Sequence, residues 1–289
     1  MTAFKIGIAG GTGDMGRWFE NIFSGLGHEV LIAGRKTDLT YNDLAKHCDV
    51  VILSMPVTAA VEVAGVVGPQ MRPGQLLMDF CSQKEPIVKA MADHTPADVI
   101  GTHPMFGPHT AALKGQNIIL CTARDNSGWT SWLETFFTEN QAVVTRMQPE
   151  EHDRKMALSQ SLMHFLTVSL GRLLQEMDIP PDQAFLFSTP IFRLNVDLIG
   201  RLFSQDLDLY AELVRDNKYA TEIVDRFSAA MDENRQHFFE GSDTDLMAYL
   251  EDLREFIGSR FCENALTETT RALDAMYLGD GADIKKQTS

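Results

Sequence analysis

Seven short apolar runs, most of them separated by amphipathic helical stretches, fill the first half of this chain and then stop. They fall at residues 5–9, 29–33, 50–54, 76–79, 99–102, 118–121 and 142–145, with helical patterns between most of them, for example at 15–26 and 59–67. Such alternation requires a mainly parallel sheet covered on both faces, because each crossover helix must lie against one face. After Pro149 the strand pattern disappears, and from Glu150 to about Tyr277 the spacing is helical, broken at Pro180-Pro181, Ser188-Thr189-Pro190 and Gly241-Ser242. The expected organisation is a sheet domain over residues 1–149, an all-helical domain over 150–278 and a frayed polar tail over 279–289.

Phe4-Lys5-Ile6-Gly7-Ile8-Ala9 reads as the first strand. Gly11-Thr12-Gly13-Asp14-Met15-Gly16 follows and fits G-x-G-x-x-G, and a helical pattern comes next. In that context the glycines allow a tight turn, close approach of a pyrophosphate and close helix–strand packing. The helix N-terminus supplies amide donors to the anion. The alternative is a plain glycine turn. The fold class is therefore α/β, a Rossmann-type, mainly parallel sheet domain followed by an all-helical domain.

The second strand ends at Ala33-Gly34-Arg35-Lys36-Thr37. An NAD site commonly has an acid about 20 residues after the glycine loop, on the ribose hydroxyls. Here Gly34 and two cations occupy that neighbourhood. Arg35 and Lys36 would pair with a 2′-phosphate, so NADP is favoured and NAD is second; the other reading is a solvated basic turn. Ser54-Met55-Pro56 closes the third strand, where loops line the cofactor crevice.

The chain has 289 residues and a net charge of −15, which argues against nucleic acid as a partner. An anionic substrate would need locally placed arginines. The four cysteines, Cys48, Cys81, Cys121 and Cys262, are scattered without metal-ligand spacing and read as reduced thiols, and no metal site is expected. No apolar run approaches the roughly 20 residues that cross a bilayer, and no signal peptide is apparent. The expectation is a cytoplasmic protein with no membrane partner.

In the helical half, Ile191-Phe192 and the apolar residues through Phe203 crowd more than one side of a helix. A second subunit would cover them, giving a homodimer; an intrachain bundle is the alternative. Glu151-His152-Asp153 opens a long helix on which Asp153, Ala157, Gln160, His164, Thr167 and Gly171 form one stripe. That stripe either lines a cavity or faces solvent. Thr189-Pro190 starts another helix that carries Arg193, Asp197 and Arg201 at i, i+4, i+8. These form an ion-pair ladder on a wet face, or the arginines hold carboxylates.

Gly101-Thr102-His103-Pro104-Met105-Phe106-Gly107-Pro108 places a histidine at the carboxyl end of a strand, the edge where open parallel sheets bind ligands. Pro104 restricts the histidine backbone to extended conformations. A histidine held near a nicotinamide can take a hydroxyl proton while the carbon loses hydride. Asp79-Phe80-Cys81-Ser82-Gln83-Lys84 ends another strand on the same edge. Its Ser82 could orient a substrate hydroxyl and Lys84 could hold the loop or a cofactor group; an ordinary loop cap is the alternative.

Together these residues resemble the prephenate dehydrogenase family, including its arogenate dehydrogenases, and in particular the bacterial branch often fused to chorismate mutase, although no mutase domain precedes the glycine loop here. The resemblance rests on the 101–108 segment, Asp79-x-x-Ser82-x-Lys84, Glu151-His152-Asp153, His164-Phe165, Pro190-Ile191-x-Arg193-Leu194, Gly200-Arg201-Leu202-Phe203 and Asp206. It implies an oxidative decarboxylation in tyrosine biosynthesis: prephenate gives hydride from C4 to the nicotinamide and loses CO2 from C1, yielding 4-hydroxyphenylpyruvate. By the same resemblance His103 is the base and Ser82 shares the hydroxyl contact. Arg201 binds a substrate carboxylate, His164 lines the pocket, Arg193 supports Arg201 through Asp197, and His152 shapes the domain junction. Many relatives carry an acid directly after the 103–108 stretch, whereas this chain has His109. A carboxylate there could favour the amino group of arogenate, so its absence leans towards prephenate. The rival readings are an arogenate dehydrogenase or a relative acting on an amino-substituted prephenate, a catalytically silent dinucleotide sensor, and another NADP reductase sharing only the first domain.

Overall fold

The computed structural model describes residues 3–278, so the expected frayed tail at 279–289 lies outside the described residues. The chain forms two compact units. The first runs through Ser161 and takes in Ala211–Tyr219; the second comprises Leu162–Tyr210 and the helices from Ala220 onwards.

The first unit is built on strands β1 (Lys5–Ala9), β2 (Glu29–Ala33), β3 (Val50–Leu53), β4 (Leu76–Asp79), β5 (Asp98–Pro104), β6 (Asn117–Arg124) and β7 (Val143–Arg146). Helices α1 (Asp14–Gly25), α2 (Tyr41–His47), α3 (Val57–Val67), α4 (Glu85–His94) and α5 (Trp129–Glu139) connect them. The sheet order is β2-β1-β3-β4-β5-β6-β7. From β2 to β5 every pairing is parallel, as the strand–helix alternation requires. β6 is antiparallel to β5. The connection over residues 105–116 carries no helix, and a parallel return would need a crossover layer that this stretch does not supply.

Alternation of side chains along each strand divides the core into two layers. Ile6 and Ile8 of β1 join Val50, Ile52, Phe19, Phe23, Phe136 and Phe137 on the face covered by α1 and α5. Ala9 joins Val51, Leu53, Leu77, Ala60, Ala64 and Met91 on the face covered by α2, α3 and α4. Phe19, Phe23, Phe136 and Phe137 are completely buried, and burying a side chain of this class contributes about 1.5–3 kcal/mol. Central strands covered on both faces read as continuous apolar runs, which is why they are legible in sequence.

The helix that opens the second half is α6 (Pro149–Met156), continued by a π-helical stretch (Ala157–Leu162) and by α7 (Met163–Glu176). The chain passes from the first unit to the second inside this helix, after Ser161. The second unit continues with α8 (Pro181–Phe185), α9 (Pro190–Phe203) and α10 (Leu207–Arg215, whose last five residues belong to the first unit), then α11 (Ala220–Phe239), α12 (Asp243–Ile257) and α13 (Ser259–Leu278). All three expected breaks separate helices. Within this unit Gly171 of α7 faces α9 so closely that a Cβ would stand 3.3 Å from Ile199 Cγ2. Leu186, Phe239, Phe256 and Phe261 are exposed on its surface.

Candidate active site

The chain runs from β1 to β2 on one side and returns to β3 on the other, so the sheet reverses strand order beside β1. Ligands of open α/β sheets bind at such a point, outside the carboxyl ends of the strands. The glycine loop lies there, between β1 and α1. Gly10 takes φ +81°, a conformation that side chains resist, and a Cβ on it would stand 2.3 Å from the Ser54 carbonyl oxygen. That close approach sets Ser54-Met55-Pro56 beside the loop. A Cβ on Gly16 would stand 2.6 Å from Gly11 Cα, so the helix needs glycine to pack on the loop. Gly13, in contrast, faces open space, its nearest neighbour being Gly10 O at 3.4 Å. Gly13 is the N-cap of α1 and no side chain caps it, which leaves the first-turn amides of Asp14, Met15 and Gly16 without helical partners. This cradle, with exposed Thr12 at its rim, fits a pyrophosphate.

At the end of β2, Thr37 Oγ1 accepts from Gly34 N–H at 2.8 Å and donates to Leu39 O at 2.9 Å, which folds the turn. Arg35 and Lys36 project from it, both exposed. Among the described residues neither meets a carboxylate within 4.0 Å.

His103 lies inside β5 rather than in a loop after it, paired with Ile119 of β6 and 3% exposed. The β4–β5 register sets Asp79 beside Gly101, so Ser82 and His103 follow from neighbouring strand ends. Ser82 is half-buried. Lys84 is fully buried: its ammonium pairs with Asp79 and donates to Thr102 O at 3.0 Å. It passes over Gly101, where a Cβ would stand 3.1 Å from Lys84 Cδ and 2.4 Å from Val88 Cγ2. Asp79 also accepts from Cys81 N–H at 2.8 Å and Thr102 N–H at 3.2 Å. Lys84 therefore ties the loop after β4 to the end of β5.

Sequence reasoning did not foresee the partners of His103. His103 Nδ1 lies 2.8 Å from Nε2 of His152, and His152 Nδ1 lies 2.7 Å from Oδ1 of Asp153. Lys84 N–H and Glu85 N–H donate to Asp153 Oδ1 and Oδ2 at 2.7 and 2.9 Å. Asn217 donates to the Asp153 carbonyl at 2.8 Å. Gln160 Nε2 lies 3.5 Å from the other nitrogen of His103, Nε2. Gln160 stands in the π-helical stretch, and such bulges re-aim side chains at functional positions. Within the first unit, Asp153 and Ala157 of the polar stripe are buried and Gln160 is half-buried, while Leu158 stands exposed.

Burial, then the neighbouring His152 and Lys84, hold the His103 imidazole well below the usual histidine range. His152 is lowered by burial although Asp153 opposes it, and His28 is lowered by burial as well. Such groups take up protons more readily in the unfolded chain, so their contribution to stability is complete above the ordinary value of 6.5 and is lost as pH falls below it. Urea unfolding free energy is therefore expected to fall through the pH window below 6.5, as the unfolded chain takes up protons that the folded one refuses. A flat stability profile across that window would contradict their burial as neutral rings.

In the second unit, His164 packs edge-on to Tyr210, with ring centroids 4.7 Å apart, and burial lowers its pKa. Arg193 lies 3.9 Å from Asp197 and stacks over Phe185 at 4.5 Å. Arg201 is exposed on α9, with no ion-pair partner among the described residues, and borders a cleft with Leu174, Phe185, Val196 and Ser204. Asp197 thus engages Arg193 and not Arg201.

Two family models match consecutive stretches: prephenate dehydrogenase, nucleotide-binding domain, over residues 30–146, and prephenate dehydrogenase, dimerization domain, over residues 148–252. The chain belongs to the prephenate dehydrogenase family. It is 35% identical over 244 residues to a Methanocaldococcus jannaschii protein named "Probable arogenate/prephenate dehydrogenase", covering 78% of this chain and 55% of that one. It is 32% identical over 240 residues to the T-protein of Haemophilus influenzae, covering 83% of this chain and 63% of that one. The chain thus spans 55% and 63% of the lengths of these two curated relatives. Its fold is shared with a prephenate dehydrogenase from Aquifex aeolicus solved with hydroxyphenyl propionate and NAD+, at TM-score 0.69 and 19% identity over 88% of this chain and 96% of that one. The glycine loop precedes the matched stretch, so its fit to a dinucleotide rests on the cradle geometry. Among the described residues no helix is long and apolar enough to cross a membrane.

Proposed function

We propose that this family member oxidatively decarboxylates prephenate to 4-hydroxyphenylpyruvate, using NADP in preference to NAD. The observation that carries this reading is His103: a buried imidazole at the ligand-binding edge of the sheet, with Nδ1 engaged by His152 at 2.8 Å and Nε2 met only by the long 3.5 Å approach of Gln160, which a substrate hydroxyl would displace. A nicotinamide dinucleotide, when bound, supplies the hydride acceptor; Gly11, Gly13 and the α1 amides would hold its pyrophosphate, and Ser54, Met55 and Pro56 would flank it. His103 Nε2 accepts the proton of the C4 hydroxyl, and Ser82 orients that hydroxyl. Its lowered basicity keeps the ring neutral, and so able to accept, at neutral pH. Arg201 binds a substrate carboxylate, His164 serves the same substrate, and Arg193 has a supporting part.

Exposed Arg35 and Lys36 support NADP, because they offer charge and donors to a 2′-phosphate where an NAD site carries an acid. Arg35→Glu is expected to lower the ratio of kcat/KM for NADP over NAD by about 10- to 100-fold, the worth of one hydrogen bond to a charged group. An unchanged ratio would remove the phosphate-pairing argument. The large apolar side chains exposed on α11, α12 and α13 support a homodimer through the helical unit.

Four mixtures test the activity: NADP or NAD, with prephenate or arogenate, followed by absorbance of the reduced nicotinamide. Prephenate with NADP is expected to turn over fastest. Faster turnover of arogenate would reassign the substrate, and the name of the Methanocaldococcus jannaschii relative covers both compounds. No turnover in any mixture would overturn the dehydrogenase reading in favour of a dinucleotide-binding sensor.

A further inference from the structure

We propose that Asp153 and His152 are positioning residues that lock His103 in the tautomer with a bare Nε2, and that His152 carries the positive charge once that nitrogen is protonated. The first half follows from the direction of the hydrogen bonds alone; the second rests on the dehydrogenase reading.

Asp153 sets the direction. Lys84 N–H donates to its Oδ1 and Glu85 N–H to its Oδ2, at 2.7 and 2.9 Å. Main-chain amides can only donate, so both oxygens are committed as acceptors. The proton between Asp153 and His152, across 2.7 Å, therefore sits on His152 Nδ1. A neutral imidazole carries one proton, so His152 Nε2 presents a lone pair. That lone pair lies 2.8 Å from His103 Nδ1, which must donate to it. His103 Nε2 is left as a lone pair, and Gln160 points its amide nitrogen at that atom. Burial strengthens the rule: His152 is 0% exposed and His103 is 3% exposed, so water cannot supply a substitute partner without cost.

The same chain decides where charge goes. His103 meets His152 of α6 at one nitrogen and Gln160 of the π-helical stretch at the other, and Lys84 before α4 acts on it as a nearby charge; Asp153 stands behind His152, and Asp79 of β4 pairs with Lys84. A charge held on His103 would be separated from the Asp153 carboxylate by a whole imidazole, whereas a charge on His152 touches it directly. When the substrate hydroxyl O–H bond breaks, an N–H bond forms at His103 Nε2. The His103 Nδ1–H bond breaks and an N–H bond forms at His152 Nε2. His103 ends neutral and His152 ends as imidazolium against Asp153. The reverse shift returns the proton to the phenol oxygen of the product.

Long-range proton–nitrogen correlation spectra of the ¹⁵N-histidine-labelled full chain at mildly alkaline pH read the tautomers without any substrate, with His103→Asn and His152→Gln assigning the signals among the eight histidines. Both rings are expected as Nδ1–H tautomers; a His103 ring protonated on Nε2 would overturn the lock. Asp153→Asn lets a carboxamide N–H face His152 and reverse the chain. Its His103 signal is expected to move to the Nε2–H form, and kcat to fall at least about 100-fold with KM little changed. His152→Gln offers an oxygen that accepts from His103 but cannot take a proton. It is expected to keep the His103 tautomer, lower kcat about 10-fold or more, and turn a two-proton solvent isotope inventory into a one-proton one. Normal kcat with an unchanged inventory in that variant would overturn the charge transfer. Absence of turnover by the unaltered chain would remove the dehydrogenase reading and the charge transfer with it, while the spectra alone would still decide the tautomer lock.

Discussion

His103→Asn is expected to lower kcat by about 10²- to 10⁴-fold while nucleotide affinity stays unchanged. Asparagine can occupy the space beside His152 and keep a hydrogen bond to it. It places no basic nitrogen where Nε2 stands, so proton abstraction is lost and positioning is retained. Nucleotide affinity is the internal control, because the glycine cradle belongs to β1 and α1 while His103 belongs to β5. The unaltered enzyme carries a second signature. Burial, His152 and Lys84 hold His103 well below the usual histidine range, so the neutral, accepting ring persists on the acid side of pH 6.5. The acid limb of kcat is therefore expected below the pH at which a free histidine titrates. Steady-state rates against pH for both proteins check this, and a near-normal rate in the variant would remove His103 as the base.

The second large effect is on folding. Lys84→Met is expected to destabilise the protein by about 3–5 kcal/mol, the cost of leaving one member of a buried ion pair alone. Methionine fills much the same volume, so the loss isolates the charge. Lys84 and Asp79 are both inaccessible to water, and once the ammonium is gone the Asp79 carboxylate would keep the Cys81 and Thr102 amides but no cation. Asp79→Asn added to Lys84→Met is expected to recover part of the loss, since the unpaired charge is then removed. Urea unfolding of the three variants measures this. A cost below about 1 kcal/mol in Lys84→Met would place the pair in the class of surface bridges and contradict its burial. The pair also braces the strand beside His103, because Lys84 donates to Thr102 O immediately before it.

Much of the site was legible residue by residue. Gly11, Gly13 and Gly16 revealed themselves through local spacing after an apolar strand, because a tight turn into a helix is a short-range constraint. His103 was legible for a similar reason: Pro104 and the carboxyl end of β5 place it without reference to distant residues. His152 was not. The family resemblance implies only a junction role for it, although Asp153 stands directly beside it and a histidine with an adjacent acid is a local signal of a proton chain. Lys84 and Asp79, five residues apart around a strand end, gave a similar unread signal. The π-helical stretch from Ala157 to Leu162 had none, because its apolar and polar spacing still fits an ordinary helix. Arg193 and Arg201 read alike in sequence, yet only Arg193 is engaged by Asp197 and Phe185.

By itself, the amino-acid sequence determined the change from strand–helix alternation to continuous helix, the glycine loop, and the edge on which His103 stands, since periodicity, turn chemistry and proline restraint all act within a few residues. Only the tertiary structure decided which nitrogen of His103 meets His152, that Lys84 is sealed against Asp79, and that Asp153 and Ala157 of the long helix are buried while Leu158 is exposed. Hydrogen-bond direction and the loss of water depend on groups that meet from far apart along the chain, and no local pattern records that meeting.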